Sequence, residues 1–490
     1  MTSIFVPTDA RRARGRATPA TRRRIARWAG VSVVLVGGVV GRASDVPTKP
    51  EGDAAGAGCR VEAVAILPML ELCPAGPAGA PAVALGGLSD LVHIPGPGPG
   101  LAFLALTDRG PNGSVATTAG RRRTLLNPAF TPSVIAIDVD ATPITSASGV
   151  PQLAARTRLH AALAGRTGRP LTGLPNGIGA DEPILDAAGT AVLPPTPDGV
   201  DPEGLAVLPD GSWWIAEEYR PSLLRFTGHG RAQERHVPSG QPLPGADTDV
   251  LESLPAAYGA RRDNRGFEAL AASPDGRTLW ALLQSPLDHP QPTAAKRMGN
   301  VRLLAFDVTA GYPVREHVYR LGDPTTAGYL TKGAPPDDGK LCAMAAITAT
   351  ALLVIEQADD GLARLYRCDL EGVTDTLALA TGAGDMAIDA IADLGGAGIV
   401  PVRKSLVADL EPLIPTLAAH VTDGAWRPAA PGRLPNLKLE GLAILDDRRI
   451  ALVNDNDFDI AHRDDPREPT RRSCLWIIRL AEPLAGLVSQ

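Results

Sequence analysis

The 490-residue chain lacks the short signatures that would assign a reaction at once. It has no G-x-S-x-G, so an α/β-hydrolase reading is left without its nucleophile turn. It has no H-E-x-x-H and no Walker sequence, which removes the common metalloprotease and nucleotide-binding motifs. Its eight His are scattered and read as structural. Its five Cys (Cys59, Cys73, Cys342, Cys368 and Cys474) form no C-x-x-C pair, which argues against a zinc or thioredoxin-like site. Heptads and long amphipathic runs are also missing, so nothing suggests a helical bundle. The net charge of −6 hides an asymmetry: residues 1–44 carry nine Arg and one Asp, leaving −14 for the remainder. An acidic body argues against nucleic acid as a partner and suits cation binding.

What the chain has in abundance is Gly (52) and Pro (46), placed between short apolar runs where they read as turns. Short strands at close spacing predict an all-β protein. A repeat organises them. EGLAVLPDGSWWIAEE at Glu203–Glu218 recurs as EALAASPDGRTLWALLQ at Glu268–Gln284 and as EGLAILDDRRIALVNDND at Glu440–Asp457. Two weaker copies lie near 87–110 and 341–360. Each copy is an apolar run, a turn, a second apolar run and a polar end. Third strands are expected at Ser133–Val139, Ser222–Phe226, Val301–Val308, Leu362–Leu370 and Cys474–Leu480, with fourth strands at Glu316–Leu321 and Thr374–Ala380. Repeated antiparallel units of three to four strands are the pattern of a β-propeller, here of six or seven blades. The stretches 146–200 and 381–435 are candidates for a degenerate blade or an insertion. Arg60–Leu67 alternates like a strand and is placed to complete the last blade beside Cys474–Leu480.

The first 57 residues read as an export signal and linker, and 58–490 as a single domain. Arg22, Arg23 and Arg24 precede an apolar run from Trp28 to Val40 that is short for a bilayer span. Thr21–Arg27 resembles the twin-arginine export motif, with Ala26 in place of the usual bulky residue. Ala55-Gly56-Ala57 is one candidate cleavage site; an uncleaved membrane anchor is the alternative. Either way the body is expected outside the cytoplasm, periplasmic or extracellular. In an oxidising compartment Cys59–Cys73 is a candidate disulfide. Cys342–Cys368 is disfavoured, because the two fall on first and third strands roughly 20 Å apart at about 3.3 Å per residue.

In an antiparallel hairpin the start of the first strand and the end of the second lie at one end. Glu203 therefore approaches Glu217-Glu218, Glu268 approaches Gln284, and Glu440 approaches Asn454, Asp455 and Asp457. Asp108 lies near Ser89-Asp90, and Glu356 near Cys342. Radial blades would gather these ends around one mouth of the channel. Crowded carboxylates repel, and a hard cation relieves that repulsion. Ca²⁺, which takes six to eight oxygens, suits Asp, Glu and Asn donors. Arg109, Arg220, Arg265 and Lys438 sit beside these acids, placed to bind phosphate or carboxylate oxygens.

TDRGPNG, DPEGLAVLPDGSWWIAEEYRPSLLRF, NRGFEAL and KLEGLAI with VNDNDF resemble the phytase-like, esterase-like family of secreted bacterial proteins. The resemblance runs from about Gly86 to Leu480. It implies a propeller-type fold and an exported hydrolase-like protein. It carries over at Asp108, Arg109, Asp201, Glu203, Glu217, Glu218, Tyr219, Asn264, Arg265, Glu268, Glu356, Lys438, Glu440, Asn454, Asp455 and Asn456. Ala269 stands where the family usually has Gly, and Cys342 and Gln357 depart from its polar pattern. The resulting expectation is a Ca²⁺-dependent phosphoesterase acting on a small molecule. Its metal ligands would come from Asp108, Asp201, Glu203, Glu217, Glu218, Glu268, Glu356, Glu440, Asn454, Asp455 and Asp457. Its substrate contacts would come from Arg109, Tyr219, Arg220, Arg265 and Lys438; no catalytic residue is singled out. The alternatives are a carboxylic-ester or lactone hydrolase on the same scaffold, or a non-catalytic propeller that binds a ligand or partner.

Overall fold

A computed structural model describes residues 58–76, 79–118, 120–144, 149–177, 183–289, 298–322, 339–358, 361–380, 387–428 and 434–486. The expected export segment 1–57 lies outside the described residues. Among the described residues no helix is long and apolar enough to cross a membrane.

The described chain is mostly β, built from small antiparallel sheets. Most strands fall into five four-stranded units, two of them joined in one eight-stranded sheet, and two two-stranded ribbons lie outside them. Unit I holds Leu88–His93, Leu101–Thr107, Ser133–Ile144 and Gln152–Ala162. Unit II holds Pro202–Val207, Trp213–Glu217, Ser222–Phe226 and Ala232–Pro238, with Asp249–Leu254 added in parallel. Unit III holds Phe267–Ala272, Thr278–Leu283, Asn300–Asp307 and Tyr312–Arg320. Unit IV holds Gly339–Ala346, Ala351–Ala358, Ala363–Asp369 and Arg403–Asp409. Unit V holds Leu439–Ile444, Arg449–Asn454, Cys474–Leu480 and, from the other end of the chain, Cys59–Ile66. That last pairing, Cys59 opposite Leu480 through Ile66 opposite Cys474, is the closure expected from the alternation of Arg60–Leu67. The first strands of the five units pack against one another in a closed cycle, I–II–III–IV–V–I.

The core lies between units, not at the centre of the cycle. Period-2 alternation sends neighbouring side chains to opposite sheet faces. Trp213 packs into the layer shared with unit I, and its neighbour Trp214 into the layer shared with unit III. Each strand therefore serves two cores, which is why these strands are buried throughout and not simply alternating. The first strands approach closely. A Cβ on Gly204 would lie 2.6 Å from the Leu270 amide nitrogen, so the backbone of unit II needs glycine there. Asp90 strengthens the same junction: its carboxylate accepts from Leu205 N at 2.6 Å and Leu91 N at 2.7 Å.

Four expectations change. The described residues hold five units, not six or seven. The stretches 146–200 and 381–435 supply fourth strands to units I and IV, not another unit. The fourth strand of unit IV is Arg403–Asp409; part of the 374–380 segment is instead the short helix Leu377–Ala380. Finally, Cys59 and Cys73 are free, as are the other three cysteines. Cys59 begins an outer strand and its thiol meets Asp409 O, while Cys73 sits in a separate small ribbon beside Asn127.

Candidate functional site

One local irregularity repeats in all five units and builds the site. Pairing between the first two strands slips by one residue near its start, so one first-strand residue is unpaired. Such a bulge re-aims its side chain. The bulged residues are Ser89, Glu203, Glu268, Cys342 and Glu440. A second position also repeats. The residue that follows the second-strand partner of each pre-bulge residue is Asp108, Glu218, Gln284, Gln357 or Asp455. Its amide binds a carbonyl just before the bulge: Asp108 to Gly87, Glu218 to Asp201, Gln284 to Gly266 and Asp455 to Lys438.

Most of these side chains converge on one cavity of about 320 Å³. Asp108, Glu203, Glu218, Glu268, Gln284, Glu440 and Asp455 line it, with Arg109, Asn112, Arg123, Asp263, Asn264, Arg265, Lys340, Lys438 and Asp457. All sixteen are charged or amide side chains; no apolar residue and no His lines the cavity among the described residues. Eight carboxylates face five cations. Burial pushes the Glu203 carboxyl well up, and the charges of Asp201, Glu268, Glu218 and Glu440 push it further. Glu218 is raised by burial and then by Glu268 and Asp201; Asp108 by burial, Asp455 and Asp201. Glu268 is pushed up to about 7 by burial, against the opposing pull of Gln284, Lys340 and Arg265.

Lys438 anchors one side, its Nζ 2.6 Å from both Asp455 Oδ2 and Asp457 Oδ1. On the other side Arg109 is paired with Asp201 and stands 3.9 Å from Glu218. Carboxylate oxygens of Asp201, Glu203 and Glu218 lie within 4.8 Å of one another, all buried. This triad can hold a metal. Two buried acceptors, Glu218 Oε1 and Glu268 Oε2, have no hydrogen-bond partner among the described residues. Oxygen donors with unfilled acceptor capacity fit a hard cation.

Five of the expected site residues are used elsewhere. Glu217 is one residue out of phase with Glu218 and points away from the cavity. It accepts from Tyr219 N, Arg220 N, Ser222 Oγ and Asn176 Nδ2, and pairs with Arg235 at 3.0 Å. Glu356, at the matching place in unit IV, is taken by Tyr319 OH, Gly322 N and Lys404. Asn454 binds Arg472 O and Cys474 N. Arg220 donates to the Gln241, Pro242 and Asn176 carbonyls. Tyr219 donates to Gly173 O at 2.7 Å and reaches the site only by supporting Arg109, whose guanidinium lies 5.4 Å over its ring. The remaining expected residues (Asp108, Asp201, Glu203, Glu218, Glu268, Glu440, Asp455, Asp457, Arg109, Arg265 and Lys438) are brought together.

Sequence reasoning missed Lys340 and Arg123. Lys340 pairs with Gln357 across its hairpin, the place Lys438 holds opposite Asp455, so the repeat alignment could have found it. Arg123 comes from a hairpin inserted in unit I, Asn112–Thr117 and Gly120–Leu125. Its only sequence signal is the Arg121-Arg122-Arg123 run.

The family model "Phytase-like: Esterase-like activity of phytase" matches residues 83–458. The chain belongs to this phytase-like family. An "Uncharacterized secreted protein" of Arthroderma benhamiae is 29% identical over 134 residues, 24% of this chain and 26% of that protein. The phytase-like chain thus spans about a quarter of that curated relative. Among solved structures, the PQQ-bound aldose sugar dehydrogenase of Streptomyces coelicolor gives a TM-score of 0.32 at 12% identity, covering 87% of this chain and 99% of that one. A luciferin-regenerating enzyme gives 0.32 at 8% identity, covering 82% and 96%. Likeness this low bears on neither the site nor the activity of the phytase-like chain.

Proposed function

We propose that the chain is an exported, divalent-cation-dependent hydrolase of phosphoric esters. Its five units are the blades of a β-propeller, and the active site is the acidic mouth of the central channel. The observation that carries this reading is the polarity of the cavity. Every lining side chain is charged or amide, and four of the lining residues carry a buried polar atom without a hydrogen-bond partner among the described residues. Glu218 Oε1 and Glu268 Oε2 call for a cation; Arg109 Nε and Arg265 Nη1, buried without acceptors among the described residues, call for an anion. A phosphate beside a metal answers both. The cavity offers no apolar wall for the acyl part of a larger carboxylic ester.

Asp201, Glu203 and Glu218 would hold the ion, Ca²⁺ by preference for an all-oxygen set, and Glu268 and Glu440 stand beside them. Bound there, the ion would supply Lewis-acid polarisation of a phosphoryl oxygen and a more acidic water. Arg109, Arg265 and Lys438 orient the phosphate and offset its charge. Glu268, whose carboxyl burial pushes up, would take one proton from the attacking water. A new P–O bond forms, the P–O bond to the alcohol breaks, and that proton passes to the departing alkoxide. Export is supported by the Arg-rich, apolar N-terminus and by the secreted relative.

Phosphate release from a panel of small phosphoesters, with and without chelator, tests the reading. Release abolished by chelator and restored by Ca²⁺ is expected. Chelator-sensitive cleavage of carboxylic esters alone would replace it with the acyl-ester alternative. A Ca²⁺-raised melting temperature without turnover of any ester would make the protein a binding module.

A further inference from the structure

We infer that the ammonium of Lys438 takes the place of a second metal ion. It holds Asp455 and Asp457 as a bound cation would, and leaves the ion itself to Asp201, Glu203 and Glu218. The inference rests on the cation-binding part of the reading above and sets how many ions the site takes. Nζ of Lys438 lies 2.6 Å from Asp455 Oδ2 and 2.6 Å from Asp457 Oδ1. Ca²⁺ binds carboxylate oxygens at about 2.3–2.6 Å, so the ammonium fills nearly the space an ion would. Its fixed charge also repels a second cation. Asp455 and Asp457 stand outside the buried triad whose oxygens lie within 4.8 Å of one another.

The backbone at this position favours glycine, not lysine. Lys438 has φ 48°, in the left-handed region that a residue with a Cβ avoids. The matching residue of unit I is Gly87, at φ 59°. The two are equivalent by pairing. Each precedes the pre-bulge residue of its first strand, Leu439 or Leu88. Each also gives its carbonyl at 2.8 Å to the amide of the cavity acid, Lys438 O to Asp455 N and Gly87 O to Asp108 N. Glycine makes this turn in unit I without strain. Unit V bears the strain, and what lysine adds there is the double ion pair. The acids are shaped to match. Asp457 is also left-handed, at φ 50°, and its amide donates to Asp455 Oδ1 at 2.7 Å. That turn brings the two carboxylates to one cation. Burial lowers the Lys438 ammonium, but Asp455, Asp457 and Glu440 hold it well above its usual range, so it stays charged.

The test counts Ca²⁺ ions bound per full-length chain by titration calorimetry, with melting temperature read beside it. Lys438→Gly removes the ammonium and gives the turn the residue that unit I uses. It should bind one more Ca²⁺ than the parent, and adding Asp455→Asn should abolish the gain. In chelator Lys438→Gly leaves two acids without their cation, so it should melt below the parent, and Ca²⁺ should raise it by more. Lys438→Arg, which keeps a cation there, should bind as many ions as the parent. An equal count in Lys438→Gly and the parent would overturn the inference, as would an extra ion in Lys438→Arg. Should Lys438→Gly fold only with Ca²⁺, recovery by Ca²⁺ but not by NaCl of the same ionic strength would support the inference, and recovery by both would overturn it. One ion bound by Lys438→Gly where the parent binds none would support the inference and sink the cation-dependent reading of the site.

Discussion

Glu268→Gln separates the cost of the acidic site from its use. The Glu268 carboxyl is raised from 4.5 to about 7, chiefly by burial. Below about pH 4.5 the folded and unfolded chains both hold this proton. Between 4.5 and 7 only the folded chain keeps it, so stability falls as pH rises through that window and stays low above it. At about 1.4 kcal/mol per unit, the shift amounts to about 3 kcal/mol at pH 8. Spread over a body of this size, that is a melting difference of about 3 °C. In chelator at pH 8, Glu268→Gln should therefore melt higher than the parent, and near pH 4 the two should coincide. Ca²⁺ should reverse the order at pH 8, because the parent gains a negative neighbour for the ion that the amide variant lacks. Calorimetric melts across pH 4–8, with and without Ca²⁺, measure all of this. A variant no more stable than the parent in chelator at pH 8 would refute the claim that this carboxylate is strained without a cation.

Glu203→Gln and Glu440→Gln should each weaken Ca²⁺ stabilisation in the same melts; unchanged Ca²⁺ affinity in both would remove them from the site. Glu217→Ala, which leaves Arg235 buried without its partner, should cost about 3–5 kcal/mol in denaturant unfolding yet leave the Ca²⁺ affinity of the folded fraction intact. Loss of Ca²⁺ binding at full stability would return Glu217 to the ligand set. Gly204→Ala should destabilise by about 1–3 kcal/mol, since its Cβ would meet backbone of unit III at 2.6 Å; a neutral effect would show that the cycle of first strands is looser than described.

Much of the fold was legible because hairpins announce themselves locally. The strands Ser222–Phe226 and Cys474–Leu480 have the bounds that their β-branched and aromatic content gives them. The fourth strands were harder. Arg403–Asp409 follows a long irregular connection and is partly exposed, so it carries little apolar pattern. The described residues hold fewer units than expected for the same reason, since long connections resemble hidden repeats. The candidate disulfide failed because redox compartment and spacing say nothing of where two thiols fall in a fold.

The site divides more sharply. Recurrence of an acid at the start of the repeat marked Glu203, Glu268 and Glu440, which line the cavity. It could not choose between Glu217 and Glu218, which are adjacent and face opposite ways. That choice depends on register, where a slip of one residue exchanges the two faces. Nor could it see that Glu356 answers Lys404 and Tyr319, or that Asn264 accepts from Arg109 and Arg123, both distant in sequence. By itself the sequence determined the repeated hairpins, the acidic body and the acids at the hairpin ends, because each is a local pattern. Only the tertiary structure decided which of those acids share the cavity. The bulges and the closed cycle of first strands set the direction of every side chain there, and both arise from contacts between units rather than within them.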